Sequence, residues 1–250
     1  AWYAVNPEVD AEIAARFGPA WEAAAAGGLD GWRADAPGTL GYLILTDQFP
    51  RNMFRGEARA FATDARALAA ADAAVTAELA PLKMERAVFE TRITQADPGP
   101  EGQDAVNFTV ATNPGAPAGP LGKIASGGEL SRFLLALKVC LSRRAEGLTM
   151  IFDEIDRGVG GATADAVGRR LAKVADGAQV LVVTHSPQVA ALGGHHFQVA
   201  KSVSDGSTRT RVMPLDAAAR VDEIARMLSG DRISEEARSA ARALLGDLAA

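Results

Sequence analysis

Residues 148–156 read Leu-Thr-Met-Ile-Phe-Asp-Glu-Ile-Asp, and residues 179–185 read Gln-Val-Leu-Val-Val-Thr-His. Each stretch is a short apolar run that stops at polar residues, the pattern of a strand buried in a parallel sheet. Between them, 162–175 has helical character, so strand, helix and strand follow one another. That order defines an α/β sheet with crossover helices. Ligands of such sheets bind at the carboxyl ends of the strands, where Asp153, Glu154 and His185 fall.

Outward from this pair, 126–144 reads as a helix that opens on Ser126-Gly127-Gly128-Glu129-Leu130-Ser131-Arg132. Ser126 with Glu129 forms a capping box, and free amides beside glycines accept an anion closely. The heptad fits a capped helix with nothing bound equally well. Upstream, 87–94 and 105–111 alternate as strands around a turn at 98–102, and the Pro- and Gly-rich 112–121 is a loop. Downstream, 197–201 and 208–214 are strands around Ser204-Asp205-Gly206-Ser207, followed by helices at 217–228 and 234–248.

Residues 1–75 follow a different grammar. They are Ala-rich, with Val9, Ile13 and Phe17 on one helical face. Gly18-Pro19 is expected to interrupt that helix, and a second amphipathic stretch covers 21–26. Residues 39–49 read as a buried helix stopped or kinked by Pro50, and 59–80 as a long helix. Asp47, Gln48, Arg51 and Asn52 suit a polar site, or, more simply, capping and buried hydrogen bonds around Phe49-Pro50.

Bulk properties narrow the function classes. The chain of 250 residues carries 26 Lys and Arg against 31 Asp and Glu, a net charge of -5. Residues 1–75 hold 6 basic and 10 acidic residues, the remainder 20 and 21. Neither part has the basic excess of an autonomous nucleic-acid binder. No apolar run reaches the length of a membrane span, and the start, which lacks Met and reads as trimmed or incomplete, has no signal-peptide pattern. The one cysteine, Cys140, excludes an internal disulfide; in its apolar helical context it reads as a buried thiol, and the cytoplasm is the expected compartment.

Taken singly, the chemical elements have plain readings. Asp153-Glu154 fits a solvated acidic turn, or one carboxylate holding Mg²⁺ through water and one orienting a water. His185 fits a structural histidine, or one placed to reach a γ-phosphate. His195-His196 face opposite ways on a strand and make a poor metal site.

In order, the three elements resemble the signature motif, the Walker B strand with its glutamate, the following D-loop and the switch histidine of ATP-binding-cassette ATPases. The longer wording of 124–141, 149–175, 179–201 and 208–228, with Leu82-Lys83-Met84-Glu85, is similar to the C-terminal part of RecN. RecN is a bacterial DNA-repair and recombination ATPase of the structural-maintenance-of-chromosomes (SMC) class. The resemblance implies that Asp153 holds Mg²⁺, Glu154 positions the hydrolytic water and His185 contacts the γ-phosphate. It implies that Ser126, Gly127, Gly128 and Glu129 close over ATP on an opposite head, and that Asp156 links the two sites. It further implies a homodimer, ATP and Mg²⁺ as cofactors, DNA engaged only through the assembled complex, and no membrane.

One part of that pattern is missing. A phosphate-binding loop needs G-x-x-x-x-G-K-[ST]. Gly122-Lys123 is the nearest match, but Ile124 follows it and Pro117 holds the first-glycine position. The resemblance therefore implies that a phosphate-binding lobe, or a second head, is supplied in trans. Trp2-Tyr3, Arg16-Phe17-Gly18-Pro19, 45–56 and 60–64 are instead similar to an uncharacterised bacterial family of all-helical, tetratricopeptide-like proteins. The expectation is a fusion: an all-α segment at 1–74, and at 75–250 an α/β lobe, a partial P-loop NTPase head with a mostly parallel sheet and flanking helices. The alternative is a helical interaction module at 1–75 with the α/β lobe as passenger.

Overall fold

The computed structural model describes residues 5–99, 102–113, 115–124, 127–142, 149–156, 158–204, 207–230 and 232–246. The fold is mixed α/β and divides into two compact units, one of 1–77 with 87–120, the other of 78–86 with 121–250.

In the first unit, α1 (Pro7–Ala25) starts at Asn6, whose side chain accepts from the Glu8 and Val9 amides, with Pro7 preset for the first turn. Contrary to the sequence expectation, α1 runs through Gly18-Pro19. Buried Ile13 and Trp21 lie on either side of Pro19, and their packing holds the helix across the bond that proline cannot make. A 3₁₀ turn (Asp30–Ala34) leads to α2 (Ala36–Leu43), which passes into a single π turn, Ile44–Gln48, and then α3 (Phe49–Met53). Pro50 has no N–H for the Thr46 carbonyl four residues back. The Thr63 hydroxyl donates to that oxygen at 2.5 Å, and accepts from Trp21 Nε1 at 3.1 Å. Trp21, Ala24, Tyr42, Leu45 and Ala70 form the core around this chain of bonds.

Helix α4 (Asp64–Leu79) carries Asp72 and Thr76, which bind the edge of the next element. That element is an antiparallel sheet of β1 (Val88–Gly99), β2 (Gly102–Ala111) and the two-residue β3 (Gly119–Pro120). Asp72 accepts from the Thr91 amide (2.9 Å) and hydroxyl (2.7 Å), and Thr76 Oγ1 from the Phe89 amide (3.1 Å).

In the second unit, the short α5 (Leu121–Ile124) precedes α6 (Gly127–Ser142). β4 (Thr149–Asp153) pairs in parallel with β5 (Gln179–Val183), and α7 (Gly161–Ala175) makes the crossover. α8 (Pro187–Ala191), the antiparallel hairpin β6 (Phe197–Ser204) and β7 (Ser207–Pro214), α9 (Ala217–Ser229) and α10 (Glu235–Gly246) complete it. Among the described residues the parallel pairing is thus confined to β4 and β5. Phe133, Leu135, Phe152, Val167 and Leu171 are buried, and Ala191, Ile224, Ala225 and Ala241 make a second cluster. Cys140 is only partly buried, unlike the enclosed thiol expected.

The strands β4 and β5 are covered on one face only. Phe152 is buried, whereas Ile151, Leu181 and Val183 are 64%, 46% and 51% exposed. Their all-apolar sequence is that of strands enclosed on both faces.

Substitutions at Thr63 and Gly168 test this packing. Thr63→Val strands a buried indole N–H and a buried carbonyl, and is expected to destabilise the first unit by about 2–3 kcal/mol in urea titrations; Thr63→Ser keeps both bonds and most of the stability. At Gly168 in α7 a Cβ would lie 2.7 Å from Leu192 Cδ1 and 3.2 Å from Val189 Cα. Gly168→Ala should therefore lose about 1–2 kcal/mol despite the better helix former.

Candidate functional site

The parallel register pairs Asp153 with Val183, so Asp153 and Glu154 leave the sheet at the same level as Thr184 and His185. The Glu154 amide donates to the Val183 carbonyl at 3.2 Å. Glu154 has φ 49°, a left-handed backbone that costs a non-glycine residue about 1–3 kcal/mol. Such strain concentrates at functional positions, and here it turns the chain sharply just past the strand. Asp153, Glu154 and His185 are all exposed.

Asp156, by contrast, is 8% exposed. Its Oδ2 accepts from Thr184 Oγ1 at 2.6 Å and from the Ser186 amide at 3.0 Å. Two residues on, Gly158 (φ 77°) passes so near α6 that a Cβ there would meet Gly128 N at 3.8 Å. The start of α6, the end of β4 and the end of β5 therefore meet at one edge of the second unit. Ser126 lies outside the described residues; Gly127 is exposed, and Gly128 and Glu129 are partly so.

The first turn of α6 is held from behind by Arg132. Its guanidinium donates to the Gly128 carbonyl (3.2 Å) and to the carbonyls of Leu82 (2.9 Å) and Lys83 (3.2 Å). Burial lowers this guanidinium from its ordinary value, with Glu129 and Glu85 opposing. A further ion pair, Arg170 with Glu78, ties α7 to the end of α4 and is almost fully enclosed.

For Mg²⁺, the residues present fit a partial site. Among the described residues no group of three His, Cys, Asp or Glu converges to hold a metal. One exposed carboxylate at a strand end suits an ion whose remaining ligands are water and phosphate oxygens. The missing phosphate loop is equally plain: Gly122-Lys123 sits within the one-turn α5, directly after the β3 pairing.

In the first unit the four polar residues of the second candidate site do not converge. Gln48 donates to Asn52 (3.0 Å), and Asn52 to Asp10 (2.9 Å), which also pairs with Arg55. Arg51 turns away to Asp47 and Asp64. The Arg55 and Asn52 bonds hold the Asp10 carboxyl below its ordinary value. These contacts staple α1 to α3 and satisfy the structural reading. The sequence signal that was available but unread is Thr184 and Ser186 flanking His185, two hydroxyl residues directly after an apolar strand.

His195 is exposed, and His196 is partly buried with its Nδ1 unpartnered among the described residues.

Comparison with known proteins finds two likenesses. Residues 1–93 match a family of bacterial proteins of unknown function, DUF924. No helical-repeat description comes with that match, so the tetratricopeptide-like resemblance gains no support beyond the helices themselves. The chain is also similar to DNA repair protein RecN: 44% identical over 176 residues to that of Vibrio cholerae, 52% over 151 residues to that of Xylella fastidiosa, and 47% over 198 residues to that of Streptomyces coelicolor. These cover 70%, 60% and 73% of this chain but 32%, 27% and 35% of the relatives. The chain thus spans about a third of the length of the RecN proteins it matches. The Smc head domain of Pyrococcus yayanosii, with its coiled coil and joint, shares the fold with a TM-score of 0.50 at 19% identity, over 75% of this chain and 36% of that one. A match of 176 residues and one of 1–93 exceed 250 together, so the two likenesses overlap.

His196 yields a pH prediction. Burial, then the neighbouring Arg220 charge, lowers its imidazole below the ordinary value, with Glu223 opposing. A base lowered on folding binds protons more readily when unfolded, so its contribution is complete above about pH 6.5 and is lost as the pH falls below that. Denaturant midpoints at pH 5.5 and 7.5 should differ more for the native protein than for His196→Gln.

Proposed function

We propose that the second unit is the signature, Walker B and switch portion of a RecN-type ATPase head, acting in DNA repair and recombination. The observation that carries this reading is the β4–β5 register, which sets Asp153, Glu154 and His185 at one edge, with the loop after Glu154 passing the start of α6 at Gly158. In this reading Asp153 would hold Mg²⁺, which would offset phosphate charge, Glu154 would orient and deprotonate the attacking water, and His185 would contact the γ-phosphate. The start of α6, Ser126 to Glu129, offers amides to the phosphates of ATP bound on an opposite head. Asp156 opens the loop that joins the two sites of a homodimer.

The chain lacks the loop that cradles phosphates, so hydrolysis requires a phosphate-binding lobe from another chain. The uncovered apolar face of Ile151, Leu181 and Val183 favours such a partner, because exposed patches of this kind mark interaction surfaces. DNA is engaged through the assembled complex, in the bacterial cytoplasm at the nucleoid. A second reading, in which residues 1–75 form a helical interaction module with the α/β lobe as passenger, is favoured by the separate core around Trp21 and Tyr42. It predicts that 1–75 binds its partner without 76–250.

The discriminating experiment is Mg-ATP hydrolysis by the purified chain, alone and mixed with a RecN-type lobe bearing the phosphate loop. No turnover is expected alone. With the lobe, hydrolysis should appear and fall about 10²–10⁴-fold in Glu154→Gln, the range of a general base. Glu154-dependent hydrolysis by the chain alone would place the phosphates elsewhere and reject the trans-lobe requirement.

A further inference from the structure

The loop after β4 is bound to the exit of β5 at two points. Near the strand, the Glu154 amide donates to the Val183 carbonyl at 3.2 Å. Farther out, Asp156 Oδ2 accepts from Thr184 Oγ1 (2.6 Å) and from the Ser186 amide (3.0 Å). The Ser186 amide also lies 2.9 Å from Thr184 Oγ1, closing a triangle of three polar atoms. His185 is the residue spanned by that triangle. Beyond it, the Ser186 hydroxyl accepts from the Val189 amide at the start of α8, so the next element is fixed by the same residue.

We infer that Asp156 is a positioning residue that acts within its own chain, latching the Glu154 loop to the backbone on both sides of His185. A carboxylate at 8% exposure is retained only where hydrogen bonds replace its water. Bonds to a charged acceptor are about twice as strong as neutral ones. The histidine ring itself remains exposed while its backbone is pinned before and after. A group held in that way presents its side chain from a fixed point, the requirement for aiming a donor at a reacting centre within about half an ångström. Loosening the latch removes the ties beyond the strand pairing that hold the Glu154 loop against the backbone on both sides of His185.

The latch is a property of the chain alone; its consequence for turnover rests on the reading under Proposed function. Amide hydrogen exchange and histidine ring spectra of the full chain, at one pH and without nucleotide, test it. In Asp156→Ala and Thr184→Val, Ser186 amide exchange should accelerate roughly 10- to 100-fold and the His185 ring resonance should move, with amides of α6 and α7 unchanged. Thr184→Ser should restore the native values. Unchanged Ser186 exchange and His185 resonance in Thr184→Val would overturn the inference. So would acceleration spread evenly through α6 and α7, the mark of a merely structural role. If Asp156→Ala fails to fold, the Thr184→Val and Thr184→Ser pair decides. In the mixture with a phosphate-loop lobe, Asp156→Ala should lower kcat at least tenfold with KM for Mg-ATP changed less than about twofold, the split expected for lost transition-state positioning. A KM change with kcat intact would overturn the role in turnover. Absence of hydrolysis in the native mixture would instead reject the ATPase reading and leave the exchange result to judge the latch.

Discussion

The parallel pairing of β4 with β5 is the constraint on which the second unit depends. Its register sets Asp153 opposite Val183 and lets the Glu154 amide close onto the Val183 carbonyl. A slip of one residue would exchange Phe152, which is buried, with Ile151, which is exposed, and would carry the carboxylates out of step with His185. The crossover through α7 protects that register. Gly168 allows α7 to approach α8 more closely than any side chain would, which fixes where the chain lies after His185. Chemistry and packing at this edge are therefore one problem: the residues that would handle phosphate are placed by a glycine contact and a strand register.

Much of this was legible in the sequence because the signals are local. Apolar runs that stop at Asp-Glu and at Thr-His reveal both strand ends, and the Gly-Gly-Glu start of α6 marks a helix entry. What escaped is non-local. Pro19 reads as a breaker, yet Ile13 and Trp21 pack on both sides of it and the helix continues; tertiary burial overrides propensity there. The π turn at Ile44–Gln48 is invisible to a 3.6-residue period, and Thr63, its partner, lies 17 residues away. The burial of Asp156 is hidden in the same way, because the donors to its carboxylate, Thr184 Oγ1 and the Ser186 amide, come about thirty residues later.

The two units also stabilise themselves in different ways. The first is built on aromatic packing bridged by buried hydroxyls, with Asn52 and Arg55 tying α3 and the residues after it to Asp10 of α1, and Arg51 tying α3 to Asp64 of α4. Asp47, Gln48, Arg51 and Asn52 are spent on bonds within the unit, and an arginine engaged by two carboxylates is poorly placed to receive an anion. The second unit keeps its site carboxylates exposed and holds them through backbone bonds and one buried acid. Strain at Glu154 belongs with this contrast: a left-handed glutamate is maintained only where neighbours over-determine it.

The apolar face of β4 and β5 then follows from composition rather than from accident. A strand with one wet face normally alternates apolar with polar residues. Met150-Ile151-Phe152 and Val180-Leu181-Val182-Val183 do not alternate, so the sequence is written for cover on both sides, while helices lie on one. Among the described residues, a sheet of two strands with one open apolar face fits the proposed phosphate-binding lobe in a second way: a lobe that brought the missing loop would also cover Ile151, Leu181 and Val183.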